Sequence, residues 1–399
     1  MILAMENIEN TSILKKIKQS LFSHRSTILT SMKQSFSCFS YTPQASSSSD
    51  YSTQGSVNIL ENIYAFSYSE LKVATNGFHS SNKIGEGGFG SVYKGRIGEG
   101  KLVAVKVLSA ESKQGDKEFM SEIASLSIIR HHNLVKLHGA CIDGPSRFLV
   151  YEYMENGNLA QTLLGGYKNR VKFSWKARRE ISLGIGEGLA YIHEEITPHI
   201  VHRDIKASNI LLDEHFSPKI SDFGLSKLFS HNITHISTRV AGTLGYLAPE
   251  YAISGHLTRK SDVYSFGVLL LEIVSGRTAV SFDLELGEHY LVEKAWEMYK
   301  ANGLIQLVDP VLYENLIDEE EAMLFLKVGL LCVQEKCGLR PKLSNAIKMM
   351  RGEIEISNLE ITQPGLLDDI KNVKINGTRE IRNSSQSVTT ISSPQFSPL

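Results

Sequence analysis

Two stretches of the sequence decide its fold: H-R-D-I-K-A-S-N at residues 202–209, and D-F-G at residues 222–224. Asp204 can accept the proton of a hydroxyl group, and the side-chain oxygens of Asn209 and Asp222 are the kind of ligand that magnesium ions prefer. A chance loop would not carry these residue types at these spacings. The combination predicts a site for phosphoryl transfer, where positioning and charge neutralisation outweigh covalent chemistry.

Lys206 lies two residues after Asp204, where its ammonium group can neutralise charge on the phosphoryl group that moves. We therefore take Asp204, Lys206 and Asn209 as the candidate catalytic residues. Asn209 and Asp222 are the candidate metal ligands.

The glycine-rich stretch G-E-G-G-F-G-S-V at residues 85–92 contains the pattern G-x-G-x-x-G-x-V. Glycines let the backbone approach phosphate oxygens and leave amide groups free to donate to them. Dinucleotide-binding folds use the same spacing, but their loop runs straight into a helix. Here residues 91–94 continue as a strand, so the pattern predicts a hairpin that covers a nucleotide.

The strand V-A-V-K at residues 103–106 places Ala104 and Lys106 on one face, because side chains alternate along a strand. The small Ala104 can pack on adenine while the Lys106 ammonium group reaches the phosphates. Lys106 then needs an anionic partner on the following helix. Glu122 is preferred because it lies on the apolar side of that helix, and Glu118, one turn earlier, is the alternative.

The flanking segments divide the chain into four predicted parts. Residues 1–65 form a disordered, basic and serine-rich head, and a capping box from Ser67 to Glu70 opens a helix within residues 66–77. The catalytic core covers residues 78–355, and the serine- and threonine-rich residues 356–399 form a largely disordered tail.

The head has no acidic residue and five basic ones between residues 11 and 49, which also makes a transit peptide conceivable. Only one of those basic residues is arginine, and the apolar periodicity is poor. Met32 is an alternative start, which would leave Cys38 between aromatic residues close to the terminus. S-acylation of Cys38 would tether the protein to the inner face of the plasma membrane, and an unmodified cysteine is the alternative.

Composition excludes several classes of protein. Lysine and arginine together number 42 and aspartate and glutamate 43, so no global field favours nucleic acid as a partner. The four cysteines show neither metal-ligand nor disulfide-scaffold spacing, which fits a reducing compartment. The most apolar stretch, residues 263–274, contains Glu272 and is too short to span a membrane, so it predicts a buried core helix.

Taken in chain order, the glycine-rich stretch, the strand lysine, H-R-D-I-K-A-S-N and D-F-G resemble the signature motifs of the eukaryotic protein kinase family. The resemblance covers residues 78–355. The resemblance continues with A-P-E at residues 248–250, K-S-D-V-Y-S-F-G at residues 260–267 and R-P at residues 340–341. It implies an α+β fold with two lobes, a small antiparallel-sheet N-lobe with one key helix and a larger, mostly helical C-lobe. ATP and Mg²⁺ are the implied cofactors, and proteins are the implied substrates.

The resemblance also assigns residues. It implies that Glu250 pairs with Arg340 and that Asp262 braces the catalytic loop. It makes Tyr151 the gatekeeper of the adenine pocket, with the backbone of Glu152 and Met154 in contact with adenine. The nucleotide-binding residues that it implies are Ile84, Gly85, Glu86, Gly87, Gly88, Phe89, Gly90, Val92, Ala104, Lys106, Glu122, Tyr151, Glu152, Met154 and Leu211.

More narrowly, the chain is similar to plant receptor-like cytoplasmic kinases, and to the cold-responsive protein kinases among them. F-S-Y-S-E-L at residues 66–71, L-V-Y-E-Y-M at 149–154, G-T-L-G-Y at 242–246 and the stretch 200–212 carry this likeness. It implies a serine/threonine protein kinase in plant stress or receptor signalling, with a membrane receptor kinase upstream. Lys206 and Thr243 match the serine/threonine type.

The alternative is a pseudokinase-like scaffold of a receptor complex. Such chains usually lack the strand lysine, the catalytic aspartate or the metal aspartate, and this chain keeps all three. A receptor with its own ectodomain would need a spanning segment.

Arg203 predicts a regulatory phosphate. It is a cation before the catalytic aspartate, and Lys227 should lie near it, yet no acidic residue occurs from position 227 to 247. A phosphate would supply the missing anion. Thr238 is the preferred site with Ser237 its close rival, whereas Thr243, the third candidate, is expected to contact Asp204 and the substrate.

Overall fold

The computed structural model describes residues 63–87, 90–109, 113–230, 233–283, 287–315 and 317–365. Predictions for Cys38, Gly88, Phe89, most of the head and residues 366–399 lie outside the described residues. The two-lobed α+β fold predicted from the motifs is confirmed.

The N-lobe is built on a six-stranded sheet in the order β1-β5-β6-β4-β3-β2. Its strands are β1 (Tyr64–Ala65), β2 (Lys83–Gly87), β3 (Gly90–Ile97), β4 (Lys101–Ser109), β5 (Leu137–Asp143) and β6 (Ser146–Glu152). All neighbours pair antiparallel except β1, which runs parallel to β5. Residues 90–97 continue the glycine-rich stretch as a strand, as predicted.

The sheet already includes residues ahead of the predicted boundary at residue 66. β1 pairs Tyr64 with Gly139 of β5, at a position where a Cβ atom on Gly139 would lie 2.2 Å from the Tyr64 carbonyl oxygen. The glycine therefore permits the close approach of this added strand. Helix α1 (Tyr68–Ala74) follows, and the capping box of Ser67 and Glu70 is confirmed. The helix ends at Ala74, within the residues 66–77 given for it above.

Helix α2 (Lys113–Leu126) carries both Glu118 and Glu122. Phe119, Ile123 and Leu126 on one side of it are buried in the main core, as predicted. That packing fixes which side of the helix faces the sheet, and therefore which of its glutamates faces β4.

The C-lobe is mostly helical, with α3 (Tyr167–Arg170), α4 (Trp175–Ala190), α5 (Pro249–Ser254), α6 (Arg259–Ser275), α7 (Leu291–Lys300), α8 (Glu319–Cys332) and α9 (Leu343–Met350). Every residue of α6 from Ser261 to Ser275 is buried, which confirms the predicted core helix. Among the described residues, no helix combines the length and apolar character that a membrane crossing needs.

Short antiparallel strand pairs shape the loops between the lobes. They are β7 (His199–Val201) with β10 (Lys227–Phe229), β8 (Ile210–Leu212) with β9 (Pro218–Ile220), β11 (Ile236–Ser237) with β12 (His256–Leu257), and β13 (Val280–Asp283) with β14 (Gly287–Tyr290). The first two pairs place the stretch 202–209 and the stretch 222–224 side by side.

The structure describes the first part of the tail that was predicted to be largely disordered. Residues 356–365 pack on the C-lobe, where Ile361 is buried. Ile361 joins the main core with Ile356 packed against it, and backbone hydrogen bonds to residues 333–335 add to this contact.

Candidate active site

Lys106 joins three elements at the centre of the cleft. Its Nζ atom lies 2.7 Å from Oε1 of Glu122 on α2 and 3.0 Å from Oδ1 of Asp222. Burial alone would lower the pKa of Lys106, but the two carboxylates outweigh it and raise the pKa above its ordinary value. The preference for Glu122 over Glu118 is confirmed, since Glu118 instead accepts a hydrogen bond from Gln114.

Helix α2 is also tied to the residues that follow Asp222. The hydroxyl of Ser121 donates to the carbonyl oxygens of Phe223 and Ser226 at 3.1 and 3.0 Å, and Ser125 and Ser226 share a hydrogen bond of 2.7 Å. Phe223 is fully buried and meets the ring of His202 edge-on at 4.7 Å. A shift of α2 would therefore move Asp222 as well as Glu122.

Asp204 is surrounded by donors. Its Oδ1 accepts from the Thr243 hydroxyl at 2.7 Å, and its Oδ2 lies 2.8 Å from Nζ of Lys206 and 3.1 Å from Nδ2 of Asn209. Lys206 also donates to the Thr243 hydroxyl at 2.8 Å. A carboxylate held in this way is a fixed acceptor at the base of the cleft, and the expected contact of Thr243 with Asp204 is present.

The catalytic loop is held in a strained conformation by a buried carboxylate. Within residues 202–209, Arg203 has a positive φ angle of 75°, which residues with a Cβ atom rarely adopt. Asp262 accepts the N–H of His202 at 2.7 Å and that of Arg203 at 2.8 Å. The predicted brace is therefore present.

Sequence reasoning missed the partner of Asp262. His193 Nε2 lies 2.9 Å from Asp262 Oδ2, and both side chains are buried. Burial would raise the pKa of Asp262, but the hydrogen bond and charge of His193 outweigh it and lower the pKa. No spacing in the sequence connects the two residues, which lie 69 positions apart.

The donor set near Asp222 fits a magnesium ion. Asn209 directs its amide N–H groups to Asp204, which turns its side-chain oxygen the other way. Ser221 bonds the Asn209 carbonyl oxygen through both its N–H and its hydroxyl at 2.9 Å, so Asn209 stays next to Asp222. Two side-chain oxygens completed by phosphate oxygens are a usual magnesium environment.

The glycine-rich hairpin and the strand beneath it fit a nucleotide. Gly85 pairs with Val92 across the hairpin, and Gly90 has a φ of 121° with a carbonyl oxygen of β4 only 2.0 Å from where a Cβ would stand. Glycine is therefore required at position 90. Ala104 pairs with Tyr151 in the register of β4 and β6, which places the small side chain beside residues 151–154, here called the hinge.

Part of the hinge backbone is already hydrogen-bonded within the protein. Tyr151 is buried beside Glu122, and burial first, then the charge of Glu122, raises the pKa of its hydroxyl. The side chain of Glu152 is held outward by Lys219 at 3.1 Å, and its N–H donates to the Lys136 carbonyl oxygen. Met154 is buried at the end of the hinge. The remaining predicted nucleotide contacts, Ile84, Glu86, Gly87 and Leu211, lie on β2 and β8 around this cleft.

Residues 242–247, here called the substrate segment, are held by hydrogen bonds to side chains of α6. The hydroxyl of Tyr246 donates to Oε2 of Glu272 at 2.7 Å, and Ser265 donates to the Tyr246 carbonyl oxygen at 2.7 Å. Oε1 of Glu272 accepts the N–H of Ala279 at 2.7 Å. Glu272 is fully buried with these neutral partners, and burial raises its pKa to about 8.

Arg203 and Lys227 lie near each other, as expected, beside residues 227–247, here called the activation segment. The Arg203 guanidinium donates to the hydroxyl of Tyr251 and to the carbonyl oxygens of Leu225 and Arg239, all of them neutral acceptors in the described part of the chain. Burial lowers the pKa of Lys227, and the charge of Arg203 lowers it further. Lys117 on α2 adds a third nearby cation that the sequence analysis missed.

An ion pair anchors the start of α5, which follows the substrate segment. Arg340 forms two parallel hydrogen bonds to Glu250, at 2.7 and 2.8 Å, and the arginine side chain is fully buried. This is the pairing that the sequence resemblance implied. Fork-to-fork geometry of this kind gives directional strength to a buried charge pair.

Comparison with known proteins agrees with this geometry. Residues 78–342 match the family model described as protein kinase domain. The chain is 54% identical over 325 residues to cold-responsive protein kinase 1 of Arabidopsis thaliana, and the match covers 81% of this chain and 83% of that protein.

Two further Arabidopsis thaliana relatives are probable LRR receptor-like serine/threonine-protein kinases, 51% identical over 306 residues and 50% identical over 295 residues. These matches cover 77% and 74% of this chain but only 29% of each relative. The chain therefore spans less than a third of the length of these receptor-like relatives.

The buried Glu272 predicts a pH dependence of stability. The unfolded chain releases this proton near the ordinary pKa of 4.5, whereas the folded protein retains it up to about 8. Because the unfolded state binds fewer protons between these values, rising pH destabilises the fold there by about 1.4 kcal/mol per unit.

The free energy of unfolding of the wild type, relative to Glu272→Gln, should therefore fall between about pH 5 and about pH 8 and level off above. Urea unfolding across this range measures it, with Glu353→Gln at an exposed position as the control for removing one charge. A difference between wild type and Glu272→Gln that does not change with pH would contradict the assignment.

Proposed function

Because the chain belongs to the protein kinase family and is a serine/threonine protein kinase, we propose that Asp204, Lys206 and Asn209 act directly in transferring the γ-phosphoryl group of ATP to a protein hydroxyl. The observation that carries this proposal is the position of Lys106, held between Glu122 and Asp222 in the same cleft as Asp204. A pseudokinase-like scaffold has no need of that arrangement.

In this proposal Asp204 orients the substrate hydroxyl and accepts its proton. Lys206, 2.8 Å from the Asp204 carboxylate, offsets negative charge that develops on the moving phosphoryl group. Thr243 bonds both side chains and keeps them aligned with the substrate segment.

The protein kinase family uses ATP and Mg²⁺, and we propose Asn209 and Asp222 as the residues that hold the metal. Bound Mg²⁺ would supply positive charge that offsets the negative charge of the phosphates and of the leaving group. Lys106 binds phosphate oxygens, and Glu122 and Asp222 keep its ammonium group in place. The rest of the nucleotide binds to the hairpin of β2 and β3, to Ala104, Tyr151 and Leu211, and to the backbone of Glu152 and Met154.

We propose that the substrates are proteins in plant stress or receptor signalling and that a membrane receptor kinase acts upstream. The likeness to a cold-responsive protein kinase supports the first part, and the likeness to LRR receptor-like kinases supports the second. The receptor-like relatives are much longer than this chain, so their own partners are not transferred to it.

The catalytic assignment is tested with Asp204→Asn and Lys106→Ala. Asparagine keeps the shape of Asp204 but neither accepts the proton nor carries the charge, so kcat should fall by about 10²–10⁴-fold. Lys106→Ala should also lower activity strongly, because triphosphate positioning provides much of the catalysis. The measurement is phosphate transfer by purified protein, with the exposed Lys136→Ala as control; near-normal turnover of Asp204→Asn would rule out the assigned role.

We further propose that phosphorylation of Thr238, or of its neighbour Ser237, orders the activation segment. The backbone of Thr238 donates to the Gly255 carbonyl oxygen at 3.0 Å, and the next residue, Arg239, offers its carbonyl oxygen to Arg203. A phosphate there would add about −1.5 to −2 units of charge beside Arg203 and Lys227. Arg203 bonds neutral acceptors, and Lys227 and Lys117 lie near it, so the site favours such an anion.

The test is the activity of Ser237→Ala/Thr238→Ala, alone and with Arg203→Ala added. The loop variant should lose activity, and Arg203→Ala should add little, because the two changes remove one interaction. Thr234→Ala, exposed in the same segment, is the control. A loop variant as active as wild type, or a full independent loss from Arg203→Ala, would speak against a phosphate switch.

We propose S-acylation of Cys38 as a peripheral tether to the inner face of the plasma membrane. A single acyl chain is a weak anchor, so the basic head or a partner would have to assist it. Cys38→Ser should shift the protein from the membrane fraction to the soluble fraction of plant cells, while Cys337→Ser should not. An unchanged distribution would leave Cys38 an ordinary cysteine.

A further inference from the structure

Residues 361–365 form a short packed segment, here called the C-terminal strap, beyond the part of the chain that matches the protein kinase domain. The domain match ends at residue 342 and the last helix, α9, ends at Met350. Ile361, Pro364 and Gly365 of the strap are nevertheless buried. A segment outside the matched domain is thus part of the C-lobe surface.

The strap is bonded to the turn that follows α8. Both the N–H and the hydroxyl of Thr362 donate to Oε1 of Gln334, at 3.0 and 2.7 Å. The Gln363 carbonyl oxygen accepts the N–H of Glu335 at 3.0 Å, and the N–H of Gly365 donates to the Val333 carbonyl oxygen at 3.1 Å. This is a short antiparallel pairing, centred on Gln334 and Pro364.

Gln334 connects the strap to Arg340, the arginine that pairs with Glu250. It is 1% exposed, so its side-chain oxygen depends on Thr362 for its donors. Its backbone oxygen accepts Nε of Arg340 at 2.7 Å, and the Glu335 carbonyl oxygen accepts Nη2 of Arg340 at 3.1 Å. Through Gln334, the strap therefore reaches the arginine that pairs with Glu250.

The strap also contacts the region around Arg340 and α5 through Gly365. The hydroxyl of Tyr264 on α6 donates to the Gly365 carbonyl oxygen at 2.7 Å, and the Arg340 guanidinium lies 5.0 Å from the Tyr264 ring centre. Gly365 also touches Pro249 directly, because a Cβ on Gly365 would stand 2.3 Å from Cγ of Pro249. Only glycine fits that contact without displacing the start of α5.

We propose that the C-terminal strap positions the substrate segment, by holding Pro249 and the Glu250–Arg340 pair from behind. Thr243, which bonds Asp204, lies only six residues before Pro249. A displacement of α5 is therefore transmitted to the protein-substrate side of the cleft and not to the nucleotide side, where Lys106 and the hairpin are held by other elements. This inference rests on the proposed catalytic function.

The test uses full-length Gly365→Val beside Gly338→Ala. Gly338 lies in the same region, and a Cβ atom on it would have no heavy atom within 4 Å, so its substitution controls for an added side chain. Gly365→Val should raise the KM for a protein substrate about tenfold or more and leave the KM for ATP within about twofold, because small misplacements of a substrate group are costly. Gly338→Ala should match wild type.

Two milder variants keep the test valid if Gly365→Val folds poorly. Thr362→Val removes one bond to Gln334, and Tyr264→Phe removes the bond to the Gly365 carbonyl oxygen, with little change of shape. Each should raise the KM for the protein substrate in the same direction and by less. A uniform loss of kcat with unchanged KM values, or a loss of thermal stability alone, would overturn the proposal.

A readout that does not need catalysis separates this inference from the proposed function. Amide hydrogen exchange of residues 241–250 should be faster in Gly365→Val than in Gly338→Ala, with α4 as the unchanged reference. Unaltered exchange in residues 241–250 would overturn the strap proposal whatever the enzyme does. Failure of the wild type to transfer phosphate would instead overturn the proposed function.

Discussion

The carboxylate of Asp262 holds the catalytic loop in a backbone conformation that the loop would not keep by itself. It receives two successive N–H groups from His202 and Arg203, and His193 supplies the third partner that a buried carboxylate needs. The positive φ of Arg203 is a local cost, offset by these charge-assisted hydrogen bonds. Because α6 is buried along its length, the carboxylate has a rigid base. The position of Asp204 depends on that base.

The contacts that sequence alone predicted are those in which a short motif carries its own chemistry. Lys106 required an anion, and the apolar side of α2 selected Glu122 over Glu118; the glycine spacing and the strand after it indicated a hairpin. What sequence did not reveal depends on contacts between distant positions. Examples are His193 against Asp262, Lys117 beside Lys227, and the strap against Gln334. In none of these contacts does the spacing or the local composition distinguish the residues involved from ordinary polar residues.

The two sides of the cleft differ in whether their cations have carboxylate partners. On the catalytic side each cation has a carboxylate, as with Lys106 and Asp222 or Lys206 and Asp204. On the side of the activation segment, the described neighbours of Arg203 are neutral acceptors, and Lys227 lies within its field. The first set is complete without modification. The second set is the one that the proposed phosphate on Thr238 or Ser237 would complete.

The two-residue strand β1 has a consequence for how this protein behaves as an isolated domain. It occupies the outer side of β5, whose N–H and C=O groups would otherwise face solvent at the border of the sheet. A fragment cut at residue 78, where the family match begins, would lose this cover together with Phe66 and Leu71, which pack on the same strands. Open strand borders pair with one another between molecules. For this chain, protection against edge-to-edge association is therefore expected to come from residues that precede the matched domain.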